Sequence, residues 1–178
     1  REAYFNMAAR TRLLIIGPTP PPFHGVSVAI EALLKSRLTD VFDVTHLELA
    51  DRRGIGHVNK EDWHDVWLFI TQWARLIALL VMKRPHLVYL VLSQRTIGFT
   101  RDSFFIWPAY LSGAKVIAHL HGGALQIWYR SRWWFMRRYI RLVMRLLRKV
   151  IVLGESFRPL FSGLLPDDRV VVVPNGVD

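Results

Sequence analysis

The chain has 178 residues, of which 52% are hydrophobic and 21% charged, and it contains no cysteine. This length suits one domain, or one half of a two-domain protein, with a core large enough to need no metal or disulfide. The missing cysteines exclude a disulfide framework, a cysteine zinc site and a thiol nucleophile, and the apolar composition excludes a disordered chain.

Positive charge dominates: 24 Lys and Arg against 14 Asp and Glu give a formal net charge of +10. Such an excess predicts an anionic partner, which is a phosphate group, a nucleic acid or an acidic membrane surface. The basic residues are concentrated in the segment Trp128–Lys149, which has no acidic residue.

No targeting or spanning segment is predicted. The first residues lack the continuous apolar core of a signal peptide, and we interpret residues 1–11 as an extension or a cloning remnant. The most apolar long stretch, Val66–Met82, contains Thr71, Gln72 and Arg75. A spanning helix needs about 20 predominantly apolar residues, so we expect this stretch to fall short. The sequence therefore indicates a soluble domain, and one able to sit on a membrane.

Short β-rich runs alternate with helix-length segments, which predicts an α/β domain built on a mainly parallel sheet. Several strands are nearly continuous apolar runs, typical of strands covered on both faces. The predicted strands are Arg12–Ile16, Asp43–Glu48, His86–Leu92, Lys115–Leu120, Val150–Leu153 and Arg169–Val173. The predicted helices are Val26–Leu38, Asp62–Arg84, Asp102–Ser112, Ser131–Lys149 and Ser156–Leu164.

The first predicted strand runs into the loop GPTPPPFHG, from Gly17 to Gly25, and then into a helix. Ligands of open α/β sheets bind outside the carboxyl ends of the strands, where a helix N-terminus can face an anion. The loop matches neither the dinucleotide fingerprint GxGxxG nor the P-loop GxxxxGK[ST]. It is either a phosphate or sugar contact through Gly25 or a stiff structural turn.

The third predicted strand leads into SQRTIGFTRD, which carries Arg95, Arg101 and Asp102. These charges lie on the same ligand-facing edge if the sheet is parallel. They either bind a phosphate or sugar hydroxyl, or pair with one another.

The fourth predicted strand ends in IAHLHGG, from Ile117 to Gly123. Residues alternate across a strand, so His119 and His121 should point to the same face. His121 is nearer the edge and is the better candidate for a functional role, whereas His119 is the better candidate for a hydrogen-bonded structural histidine. Gly122 and Gly123 are expected to leave backbone room for a substrate. A metal site would need a third ligand, which the local sequence lacks.

The segment Ser131–Lys149 is predicted to be a basic amphipathic helix, with Arg137, Arg141, Arg145 and Arg148 on one face and apolar residues on another. A basic helix with aromatic residues can lie in the headgroup region of an anionic membrane. The alternatives are an ordinary surface helix and a nucleic-acid site, although no recognised nucleic-acid motif is present.

Hydrolase chemistry has little support, because no GxSxG elbow is present.

Taken in order, five segments resemble the N-terminal half of a family 4 glycosyltransferase: LLIIGPTPPPFHGVSVAIEALLKSRL, KRPHLVYL, GAKVIAHLHGG, VIVLGESFRPLF and VVVVPNGVD. The resemblance runs from about residue 12 to the end of the chain, and PNGVD is its most specific motif. It implies a GT-B architecture, in which two Rossmann-like domains face each other across a cleft. Residues 12–173 would be a doubly wound acceptor-binding domain with helices on both faces of its sheet, and residues 174–178 the start of the inter-domain hinge.

The resemblance also implies the chemistry. Family members transfer a sugar from a nucleotide-sugar with retention of configuration, and they use no metal or other cofactor. The loop after the first strand approaches the donor diphosphate, and the strand-end histidine lies near the reacting sugar. These roles carry over to the following residues: Gly25 and His24 for the diphosphate, His121 for catalysis, and Asn175, Gly176 and Asp178 for the hinge. His119, Gly122, Gly123, Arg95 and Arg101 are assigned to the acceptor or substrate.

The paired-glutamate motif of the family's donor domain has no counterpart in this sequence, so the chain alone is expected to be inactive. The resemblance implies the acceptor-binding half of an enzyme of bacterial polysaccharide or glycolipid synthesis. Its expected partners are a nucleotide-sugar held by a second domain, a saccharide or lipid-linked acceptor, and an anionic membrane surface. Its expected place is the cytoplasm or the inner face of the cell membrane. The alternative is a non-catalytic basic module that binds nucleic acid or a protein; an oxidoreductase ranks lower, because the dinucleotide fingerprint is missing.

Overall fold

A computed structural model of the chain describes residues 10–49 and 63–174. Its strands are β1 Thr11–Gly17, β2 Phe42–Glu48, β3 Leu87–Val91, β4 Lys115–Leu120, β5 Leu147–Val152 and β6 Val170–Val172. Its α-helices are α1 Gly25–Lys35, α2 Leu38–Val41, α3 Trp63–Lys83, α4 Thr96–Leu111, α5 Leu125–Arg130 and α6 Trp134–Leu146. Two 3₁₀-helices, Glu155–Phe161 and Asp167–Arg169, precede β6.

The six strands form one sheet in the order β2-β1-β3-β4-β5-β6, and all five pairings are parallel. The chain therefore has the predicted α/β, Rossmann-like, doubly wound fold. The strand order reverses direction at β1, because β2 lies on one side of it and β3 on the other. This reversal opens a crevice between the loops that follow β1 and β3.

Successive side chains of the strands lie on opposite faces of the sheet, and they pack into two hydrophobic cores. On one face, Leu14 and Ile16 of β1 join the buried residues of β3, β4 and β5 under α3, α4 and α6. On the other face, Leu13 and Ile15 pack with Ile30 of α1. Helices therefore lie on both faces, as the apolar strand pattern predicts.

The basic helix is shorter than predicted. It ends at Leu146, and Leu147–Lys149 belong to β5, where Leu147 pairs with Val116 of β4. Arg148 is therefore a strand residue and not a member of the helix, which corrects its assignment. No glycine or proline separates α6 from β5, so the sequence carries no stop signal for this helix. The boundary is set by the pairing of β5 with β4, which begins at Leu147.

Other helices also differ from the prediction. Helix α4 begins at Thr96 and not at Asp102, and Phe99 in its first turn is fully buried. The predicted helix Ser156–Leu164 is a 3₁₀-helix, Glu155–Phe161, with Pro159 inside it, which has no backbone N–H to donate. The short helices α2 and α5 were not predicted, because their four and six residues give no periodic pattern.

Candidate functional site at the carboxyl edge of the sheet

The carboxyl ends of the parallel strands meet at one edge of the sheet. The loop 18–24 follows β1, Ser93–Arg95 follow β3, and His121–Ala124 follow β4. Because β1, β3 and β4 are consecutive in the sheet, these three loops are neighbours. The edge is where an open α/β sheet binds its ligands.

His24 caps helix α1 at this edge. Its Nδ1 accepts a hydrogen bond from the backbone N–H of Ser27 at 3.2 Å, and the Ser27 hydroxyl oxygen accepts from the backbone N–H of His24 at 3.0 Å. This reciprocal cap explains why the helix starts at Gly25, one residue before its predicted start. No atom of the described residues lies within 4 Å of the place where a Cβ on Gly25 would be, so the first helical residue faces open space.

Two residues of β2 hold the loop before that cap. The backbone N–H of Thr19 donates to Glu48 Oε1 at 3.0 Å, and the Thr19 hydroxyl also donates to the Glu48 carboxylate. His46 Nε2 donates to the Gly17 carbonyl at 2.9 Å. Sequence reasoning missed both residues. The signal available was their position at the end of the strand that neighbours β1.

Two histidines lie together at the end of β4, His119 buried and His121 half-buried. The rings of His119 and His121 stack with centroids 4.0 Å apart and an interplanar angle of 35°, as their alternation along the strand predicts. Only 9% of His119 is exposed, and its Nδ1 lies 2.6 Å from the hydroxyl of Tyr89 on β3. His119 is thus the hydrogen-bonded member of the pair. Tyr89 was not identified from the sequence, although it shares a sheet face with His119.

Burial keeps this cluster uncharged. Burial, with a smaller contribution from His121, lowers the pKa of His119 to about 4, and burial also lowers the pKa of His121. Burial raises the pKa of Tyr89 above its ordinary value. At neutral pH both imidazoles are therefore neutral, and the phenol keeps its proton.

The outer nitrogens of both rings lack a partner. Among the described residues, the Nε2 atoms of His119 and His121 are the buried side-chain nitrogens and oxygens that make no hydrogen bond. A buried polar atom without a partner is rare and costly in a folded protein, and it calls for an explanation. Residues 10–49 and 63–174 hold no group of three or more His, Asp or Glu that could bind a metal ion.

The glycines after His121 are needed for packing. A Cβ on Gly122 would collide with the side-chain amide of Gln94, and one on Gly123 would lie 3.2 Å from the ring of Phe157. Gln94 also accepts a hydrogen bond from the backbone N–H of Ala124 at 2.6 Å. The space beside Gly122 is therefore filled by the chain itself, which corrects the expectation of open room there. Gln94 ties the loop after β3 to the loop after β4.

The two arginines near β3 have different surroundings. Arg95 is exposed and is the N-cap residue of α4. Arg101 is inside α4 and not in the loop, and its Nη2 lies 2.8 Å from Oδ1 of Asp102, of which 2% is exposed. Asp102 also accepts from the backbone N–H of Ser93 at 2.7 Å. Arg101 therefore pairs with Asp102, which is the second of the two alternatives predicted for these charges.

The arginines of α6 are on the protein surface. Arg137, Arg141 and Arg145 are exposed, and Arg137 Nε donates to the carbonyl of Arg132 at 2.6 Å. Arg145 and Arg148 line a cavity of about 540 Å³ together with Lys115 and other residues at the amino ends of β4 and β5. This cavity is at the opposite edge of the sheet from His121. Arg145 and Arg148 are therefore separate from the histidine pair.

The fold is that of a Rossmann-like domain of the GT-B type, and its carboxyl edge carries the candidate ligand site. Residues 47–178 match the family model of Glycosyltransferase Family 4, and the chain belongs to this family. The predicted hinge residues Asn175, Gly176 and Asp178 lie outside the described residues. The predicted domain boundaries at residues 12 and 173 stay predictions.

Two solved structures are similar to the chain at low sequence identity. The UDP-GlcNAc 2-epimerase of Methanocaldococcus jannaschii is similar with a TM-score of 0.55 and 17% identity, over 92% of this chain and 45% of that one. The MurG of Acinetobacter baumannii matches with a TM-score of 0.45 and 9% identity, over 94% of this chain and 47% of that one. The chain thus spans less than half of either structure. No curated protein sequence matches it.

Proposed function

We propose that the chain is the acceptor-binding half of a retaining glycosyltransferase. It would help move a sugar from a nucleotide-sugar to a saccharide or lipid-linked acceptor in bacterial polysaccharide or glycolipid synthesis. The observation that carries the proposal is the neutral histidine pair at the carboxyl edge, with two unpartnered Nε2 atoms, in a chain of this family. A sugar hydroxyl or ring oxygen is a partner of the right polarity for such atoms.

His121 is the proposed catalytic residue. A neutral imidazole can donate or accept a hydrogen bond to a reacting sugar without adding a charge to the site. Its ring contact with His119, and the hydrogen bond between Tyr89 and His119, would hold the ring in place. Gly25 and His24 are proposed to face the donor diphosphate, because α1 begins there beside open space.

The other site residues have supporting roles. Gly122 and Gly123 are proposed to shape the backbone beside His121, and exposed Arg95 to contact the acceptor. No metal or cofactor is expected to take part. Because the donor would be bound by a second domain, the chain by itself is proposed to lack transfer activity. Assays of sugar transfer by the native gene product and by this chain test the proposal.

We further propose that the arginines of α6 hold the domain on an anionic membrane at the inner face of the cell membrane. Each basic residue near such a surface contributes about 1 kcal/mol, and three together correspond to roughly a hundredfold in affinity. The triple variant R137E/R141E/R145E is expected to lose at least about that factor in binding to anionic vesicles, measured by co-sedimentation.

The matched control is R10E/K35E/R37E, which makes the same change in net charge around β1, α1 and α2. This variant should retain most of the binding. Equal losses in the two variants would contradict a patch on α6, because they would show that only total charge matters. Equal binding of the unchanged chain to neutral and anionic vesicles would contradict the proposal altogether.

The high net charge also favours a second candidate, the non-catalytic module that binds nucleic acid or a protein. Duplex DNA and anionic vesicles compared at one salt concentration separate the candidates. A DNA-binding module would prefer the duplex and show a steep loss of affinity with salt, because bound counterions are released. Preference for vesicles would exclude the duplex as the partner of this patch.

A further inference from the structure

Helix α3 is largely apolar on the side that faces away from the sheet, where Arg75 is the exposed charged residue among residues 66–82. Leu76 and Leu80 are buried against the core, as expected for a helix that covers a sheet. The opposite side carries large apolar residues that are 38% to 74% exposed: Val66, Trp67, Ile70, Trp73, Val81 and Met82. A surface helix of a globular domain normally places polar residues there. An apolar patch left exposed marks a binding surface.

The overall composition of α3 is also unusually apolar for a surface helix. Within the part of the chain that the structure describes, Val66–Lys83 is the one stretch long and apolar enough to cross a membrane, with a mean hydropathy of 1.5. This corrects the expectation that its polar residues would disqualify it. The fold nevertheless uses α3 as a surface helix, because its buried leucines pack on the sheet. A membrane can therefore meet only its outer side.

Helix α4 extends this apolar side. Its outer row contains Ile97, Phe104 and Leu111, all at least half exposed. The indole N–H of Trp73 donates to the carbonyl of Phe104 at 3.0 Å, and the rings of Phe69 and Phe104 meet edge to face with centroids 5.7 Å apart. These contacts join α3 and α4 into one continuous surface.

Helix α6 adds positive charge and aromatic rings to this surface. It packs against the side of α4 that is away from α3. At its start, Trp134 and Phe135 are exposed, and its arginines follow along the same helix. Among α4, α6 and residues 66–83 of α3, the acidic residue is Asp102, which is buried. The outer helical face, defined as the exposed sides of α4, of α6 and of residues 66–83 of α3, therefore displays apolar and basic groups and no carboxylate.

This combination matches one partner. A broad apolar area beside arginines, with tryptophans at its border, fits the boundary between the headgroups and acyl chains of an anionic bilayer. We propose that the outer helical face docks on such a bilayer with α3 lying in the plane of the interface. The side chains of α3 and α4 enter the acyl region, and the α6 arginines contact lipid phosphates. This inference rests on the membrane association proposed above and adds insertion to it, but it needs no sugar transfer.

High salt distinguishes insertion from adsorption through charge. At about 0.5 M NaCl, charge attraction reaches only about 4 Å, so arginines alone would release the vesicles, whereas inserted apolar groups would stay. Vesicles of phosphatidylglycerol and phosphatidylcholine should retain the unchanged chain under these conditions. The variant I70Q/V81Q should lose roughly tenfold or more of that binding, because both residues leave water on insertion.

The matched control is V28Q/V41Q. Val28 and Val41 are exposed to a similar degree, but they belong to α1 and α2, and α1 covers the other side of the sheet. This variant should bind like the unchanged chain. Equal binding by the two variants, or complete release of the unchanged chain by salt, would overturn insertion. Such a result would leave the proposed sugar transfer unaffected, because no donor or acceptor is present.

A spin label gives a second, independent readout, and the absence of cysteine makes labelling specific. Ala78 is exposed on the outer side of α3, so a nitroxide on Ala78→Cys should become accessible to oxygen and shielded from an aqueous nickel complex when vesicles are added. The control label on Val41→Cys should stay accessible to nickel. Spin–spin broadening at position 78 without lipid would show that a second copy covers the face, and would overturn the proposal.

Discussion

Replacing His121 by asparagine is expected to lower sugar transfer by the native gene product by roughly a hundredfold or more, with the fold retained. Removing one preorganised hydrogen-bonding group from a reacting centre costs about that much in rate. The effect should be mainly on kcat, because the contact is proposed to strengthen as the sugar reacts. The initial rate with a radiolabelled donor is the measurement, together with thermal unfolding to check stability.

The matched control is H86Q. His86 is exposed, precedes β3 at the amino edge of the sheet, and accepts a hydrogen bond from the backbone N–H of Arg12 at 3.1 Å. Glutamine keeps an acceptor at that position, so its rate should stay close to that of the unchanged protein. A rate for H121N within about twofold of the unchanged protein's would contradict the catalytic role.

Acidification is expected to destabilise the fold between about pH 6.5 and pH 4, with His119 as a main cause. Its pKa is 6.5 when unperturbed and about 4 in the folded protein, because burial disfavours the charged ring. The unfolded chain therefore binds more protons in this interval, and stability falls as the pH falls. The difference in pKa corresponds to about 3 kcal/mol of unfolding free energy, present above pH 6.5 and lost toward pH 4.

Urea unfolding at about pH 7 and about pH 4.5 measures this loss. In H119N, which has no titrating ring at this position, the difference between the two pH values should shrink by about 2 kcal/mol or more. The control is the unchanged chain, unfolded in urea at the same two pH values. An equal loss in H119N and the unchanged chain would show that other groups cause the acid sensitivity.

Most of the strands were predictable because they are short, mainly apolar runs, and β1 is buried on both faces. The shared orientation of His119 and His121 was predictable for a different reason. Side chains two residues apart along a strand lie on the same face of the sheet. The end of α6 was not predictable, because its helical pattern runs without a break into the first residues of β5. The pairing of β5 with β4 ends the helix, and the local sequence pattern of α6 carries no information about that pairing.

Partners distant in sequence were also beyond prediction. Tyr89 contacts His119 over 30 residues of sequence, as Gln94 contacts Ala124, and Glu48 contacts Thr19 over 29. Each contact joins neighbouring strands or the loops after them, so it depends on the strand order. Once β2-β1-β3-β4 is known, the strand-end residues of these four strands become the natural candidates. The exposed side of α3 was likewise hidden, because a sequence shows that a helix is apolar but not which side is covered.

We propose above that this chain supplies the acceptor side of a sugar-transfer site. The most direct test of this proposal is transfer of radiolabelled sugar from a panel of UDP-, GDP- and dTDP-sugars to membranes of the native host, catalysed by the native gene product and, separately, by the 178-residue chain. We expect labelled product with the native gene product whenever a donor domain is present, and none with the 178-residue chain alone. Turnover by the chain alone, or no transfer from any donor by a gene product that carries both domains, would contradict the proposal.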